Sequence, residues 1–78
     1  MNITSDLKEI LRQLKYDGQQ LDHYAIAIEN ATNKKDHFKG KPIYNGYCES
    51  IERWTKLYLE HKKTFLQYSI KLKNHYEN

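Results

Sequence analysis

Four histidines, one cysteine and a scatter of carboxylates are the side chains of this sequence whose types could do chemistry. A metal site on a helix needs ligands one turn apart, at i and i+4, and none of His23, His37, His61 and His75 has another histidine at that spacing. Asp22-His23 and Glu60-His61 are sequence neighbours, which point to different sides of a helix. His61 and His75 on one helix would stand about 21 Å apart along its axis. His61 is therefore expected to be a half-buried packing residue and His75 a surface residue near a fraying end. Neither a metal nor any other cofactor is expected.

Cys48 beside a histidine could form a nucleophile pair. In a helical chain, however, it falls near a loop and far from His23 and His61, where a small apolar thiol needs no activation. The sequence has no glycine-rich phosphate loop, no GxSxG and no evident pair of carboxylates in a pocket. No enzymatic activity is expected. A single cysteine cannot form an internal disulfide, which points to a reducing, cytoplasmic setting.

The elements that must position these groups are written in heptads. Tyr44, Ile51, Tyr58, Phe65 and Leu72 recur every seven residues, with Tyr47, Trp54, His61, Tyr68 and His75 three places behind each. This a/d pattern predicts one long helix with an aromatic seam over about residues 44–76. In the first half, Leu7, Leu14, Leu21 and Ile28 occupy a, and Ile3, Ile10, Asp17, Tyr24 and Ala31 occupy d, with Leu11 and Ala25 widening the stripe. Thr4, Ser5 and Asp6 are cap formers, so a first helix is expected over about residues 5–31. Asp17-Gly18 is a turn dipeptide, but a turn would shift the phase of the heptad and none is shifted; the helix is expected to continue.

Between them, about residues 32–43 lose the period and contain Asn33, Gly40 and Pro42, the chemistry of a loop. The expected architecture is all-α: a single domain over residues 1–78, folded as an antiparallel, coiled-coil-like hairpin of two helices. Centring the loop between His37 and Phe38 sets a register in which Ala31 meets Tyr44, Leu21 meets Trp54, Asp17 meets Tyr58, Leu14 meets His61, Ile10 meets Phe65 and Ile3 meets Leu72. Asp17, the one polar seam residue of helix 1, could then accept a hydrogen bond from Tyr58 or reach the nearby His61. On that reading, replacing it with leucine raises stability and loosens register. Glu49 and Glu52 are placed to pair with Arg53 and Lys56 four residues on.

A chain of 78 residues struggles to bury a sufficient core by itself, and a hairpin covers each seam side chain from one side only. Homodimerisation into a four-helix bundle is expected to supply the missing burial. Leu59, Leu66 and Ile70 fall on the side of helix 2 away from the seam, and Ile26 and Tyr16 point outward on helix 1. These five residues are the candidate protein interface.

Lysine and arginine number 13 against 10 acidic residues, a net charge of +3. Lys34, Lys35, Lys39 and Lys41 crowd the loop with Asp36 their only acid, a candidate contact for anions or nucleic acid, with Phe38 or Tyr16 available to stack on bases. The bland reading is solubility, because lysines in loops and at helix ends are ordinary surface residues. Lysine outnumbers arginine, which argues against base readout. No apolar run approaches the length of a membrane span, and the mean hydropathy is −0.97, so no membrane association is expected.

A short chain rich in Lys, Asn, Ile and Tyr and poor in Ala and Pro suggests an AT-rich phage or bacterial source. Small helical hairpins without catalytic apparatus act by occupying surfaces. The function expected first is a non-enzymatic interaction protein that binds and modulates a larger protein, inhibition being one form of this. The alternative is a dimeric accessory protein that binds nucleic acid through its lysine-rich ends.

Overall fold

A computed structural model describes residues 5–77. Two long helices account for nearly all of it: α1 (Ser5–Lys35) and α2 (Ile43–Glu77), joined through a short 3-10 turn at Asp36–Phe38. The helices pack antiparallel into a rod of 61 × 14 × 14 Å, the expected hairpin. Of the three cap formers, Ser5 and Asp6 fall inside α1, while Thr4 and the pairing of Ile3 with Leu72 lie outside the described residues.

The heptads become the packed faces. All ten a and d residues of α2, from Tyr44 to His75, are half-buried. On α1, Leu7, Ile10, Asp17 and Ala31 are buried, and Leu14, Leu21, Tyr24 and Ile28 are half-buried. Leu11 and Ala25, expected to widen the seam, are exposed instead, because a single partner helix reaches only the narrow a/d strip. α1 runs unbroken through Asp17-Gly18.

The connection is shorter than expected. Thr32 and Asn33 are poor helix formers but not breakers, and Lys34 and Lys35 sit where a helix C-terminus favours cations, so α1 continues to Lys35. The break comes at Gly40, whose φ of 87° is a left-handed conformation that glycine adopts without a Cβ penalty. There the Lys41 amide donates to the Phe38 carbonyl at 2.9 Å, and the Tyr44 amide donates to the Lys41 carbonyl at 3.0 Å as α2 begins. Pro42 immediately precedes α2, where its missing N–H costs no helical bond. The hairpin therefore turns about Lys39 rather than between His37 and Phe38.

That displacement moves the register by about one helical turn. Asp17 meets His61, 44 residues away, and Lys39 is the midpoint of that span. Ile10 and Tyr68, also centred on Lys39, line one groove. Both pairs join d to d, whereas the expected register layered Asp17 with Tyr58 and Ile10 with Phe65. The expected pairs Glu49–Arg53 and Glu52–Lys56 are not formed either. Arg53 donates to the Ser50 hydroxyl at 3.4 Å, and among the described residues Asp17–His61 is the one contact within 4.0 Å between a carboxylate and a basic side chain.

Candidate functional site

Asp17 is 1% exposed, the most deeply buried polar group of the hairpin. Its Oδ1 accepts from His61 Nδ1 at 3.0 Å and its Oδ2 from Gln13 Nε2 at 3.1 Å. A carboxylate only accepts, so the His61 proton sits on Nδ1 and the ring is held in one orientation. Tyr24 stacks on that ring at a centroid distance of 5.8 Å, and Tyr16 meets it edge-on at 5.7 Å. Gln13 is the partner the heptad did not suggest. Its signal was available all the same, since glutamine and aspartate at i and i+4 face each other on a helix.

A buried carboxylate that orients an imidazole is the arrangement used behind catalytic bases and metal-bound histidines. Chemistry would need a nucleophile or further ligands beside the ring. Cys48 is free and half-buried, but it lies about 20 Å from His61 along α2. Thr55, Thr64 and Ser69 donate to the carbonyls of Ile51, Glu60 and Phe65 on their own helix, at 2.7, 3.2 and 2.8 Å. Among the described residues no three His, Cys, Asp or Glu side chains gather as a metal-binding group. What surrounds His61 is aromatic packing, and this polar layer does the work of a seam contact.

At the open end of the hairpin, Asp6, Glu9, Ile10, Tyr68, Lys71, Asn74 and His75 line a groove of about 370 Å³. Lys71 Nζ lies 4.4 Å above the Tyr68 ring, a cation–π contact that ties this lysine to the packed face. The groove mixes both charge signs and converges on no single group.

The loop lysines separate. Lys34, Lys39 and Lys41 are exposed, while Lys35 is half-buried with its Nζ 6.0 Å from the centre of the Tyr44 ring. Phe38 stacks on Tyr47 at 5.7 Å and 19°, so it is not a free platform for a base. Tyr16 remains 51% exposed, yet its ring is engaged with His61.

The candidate interface residues divide by helix. Leu59, Leu66 and Ile70 are each more than half exposed. At 3.6 residues per turn they fall within about 40° of one another, a straight stripe about 16 Å long on the solvent face of α2. Ile26 and Tyr16 are exposed to the same degree but stand about 80° apart around α1, so they form no stripe of their own. No helix among the described residues is long and apolar enough to cross a membrane. Comparison with known proteins gives no guide to the role of these surfaces: no family model matches the chain, and no curated protein or solved structure matches it.

Proposed function

We propose that this chain is a non-enzymatic helical interaction protein, which binds and modulates a larger protein by laying the outer face of α2 against it. One observation carries the reading: α2 is 35 residues long and has no buried residue, while Leu59, Leu66 and Ile70 stand exposed on its far side. The accessible surface points the same way. It measures 6187 Å², against about 5,000 Å² for a compact monomer of 9.4 kDa. The excess, about 1,200 Å², follows from the elongated shape, 61 × 14 × 14 Å, which leaves the outer face of α2 open to a partner. The free Cys48 suits a reducing, cytoplasmic setting.

The nucleic-acid reading rests on Lys34, Lys39 and Lys41 alone, because Phe38 and Lys35 are packed against tyrosines. A homodimer, giving a four-helix bundle, is the competing way to cover the excess surface. Affinity capture from the producing cells, with and without nuclease and with Leu66→Glu beside the native chain, tests the reading. A protein partner that survives nuclease and is lost with Leu66→Glu is the expected result. A partner released by nuclease overturns it, and so does a native chain that doubles in mass on concentration and captures nothing.

A further inference from the structure

The stripe on α2 carries information about its occupant in the charges beside it. Lys56, Lys62, Lys63 and Lys73 are all exposed, and each lies within about 60° of the line through Leu59, Leu66 and Ile70. From Lys56 to Lys73 there are five lysines and one acid, Glu60, which points about 100° away from that line. Over its own length the apolar stripe therefore runs among lysines, with Glu52 and Glu77 on the same line about two turns beyond either end. None of these four lysines is in an ion pair within 4.0 Å among the described residues.

We infer that the stripe is a docking site for an acidic amphipathic helix of the partner protein. This rests on the interaction reading above and specifies the chemistry of the partner's face. Leu59, Leu66 and Ile70 stand at i, i+7 and i+11, the d, d and a positions of a coiled-coil seam whose other positions are Lys56, Lys63 and Lys73. Those lysines, with Lys62 beside them, make the seam itself positive, so carboxylates on the partner helix complete the contact.

A second copy fits poorly. An antiparallel two-fold arrangement that sets Leu59 against Ile70 also sets Lys56 of one copy against Lys73 of the other and Lys63 against Leu66. Like charges brought together repel. An anionic membrane would answer the charge but not the shape. Helices that lie in a bilayer surface bury a broad apolar face, and the Trp54 and Phe65 rings that would anchor one here are turned into the hairpin seam.

The test uses the full chain and two synthetic four-heptad helices with leucine at a and d, one with glutamate and the other with lysine at e and g. Fluorescence anisotropy should show the glutamate helix binding about tenfold or more tightly than the lysine helix, with affinity falling as salt rises from about 0.05 to about 0.5 M. Leu66→Glu and the pair Lys62→Glu/Lys63→Glu should each weaken binding about tenfold with helicity unchanged by circular dichroism. If Leu66→Glu loses helicity, the lysine pair carries the comparison. Equal binding of the two helices, or no binding of the glutamate helix, overturns the inference. So does a doubling of mass of the native chain alone that Leu66→Glu abolishes, which gives the stripe to a second copy. Binding to phosphatidylserine vesicles in place of the glutamate helix overturns it in favour of a membrane. A cellular partner captured through Leu66 but insensitive to salt and to lysine reversal leaves the interaction reading standing and removes the acidic helix.

Discussion

His61 Nδ1 lies 3.0 Å from Asp17 Oδ1, across the helix interface and 44 residues away in sequence. His61 is one of the two partners expected for Asp17, and the Gln13 amide is a second donor that was not expected, which changes the expected effect of substitution. Replacing Asp17 alone removes the acceptor and leaves the His61 and Gln13 donors without it. Asp17→Leu and Asp17→Ala should each destabilise the hairpin by about 1–3 kcal/mol. The pair Asp17→Leu/His61→Leu should recover that loss, because apolar groups on both sides leave nothing unpaired across the interface. Urea unfolding of the four members of the cycle checks this. A single Asp17→Leu that melts later than the native chain would show that the carboxylate contributes nothing to stability.

The same substitution should have opposite signs at two glycines. A Cβ at Gly18 meets only Phe65 Cε2, at 3.9 Å, an ordinary van der Waals contact. Gly18→Ala should therefore gain about 0.5–1 kcal/mol from helix propensity. Nothing crowds a Cβ at Gly40, but its φ of 87° is strained for any L residue, and Gly40→Ala should lose about 1 kcal/mol. Thermal melts of the two variants make the comparison.

Burial separates two isoleucines of α1. Ile10 is 7% exposed and Ile26 59%. Ile10→Ala should cost about 2–4 kcal/mol, while Ile26→Ala should stay within about 0.5 kcal/mol of the native chain. Denaturant titration reads both. A large loss at Ile26 would mean that this residue is covered in solution.

Phe38 fixes the turn through its stack on Tyr47 and through its carbonyl, which accepts from the Lys41 amide. Phe38→Ala should cost about 1 kcal/mol and speed hydrogen exchange at the Lys41 amide, with little change at mid-helix amides. Amide exchange followed by NMR resolves the two.

Much of this protein could be read from its residues in order. The period of seven in Tyr44 to His75 and in Leu7 to Ala31 is local chemistry: it dictates two helices, their facing sides and the outward placement of Leu59, Leu66 and Ile70. The continuity of α1 through Gly18 was legible for the same reason, since an unshifted phase leaves no room for a turn. Register was not legible. It depends on where α1 stops, and propensity weakens at Thr32 well before the chain turns at Gly40. The few residues between those points moved the pivot to Lys39 and gave Asp17 to His61, the second of its two expected partners, and not to Tyr58. A heptad repeats along each helix and so permits several alignments of nearly equal pattern. The choice among them came from the packing of the turn and from the buried carboxylate meeting His61 across the interface, a contact between distant residues that no local pattern encodes.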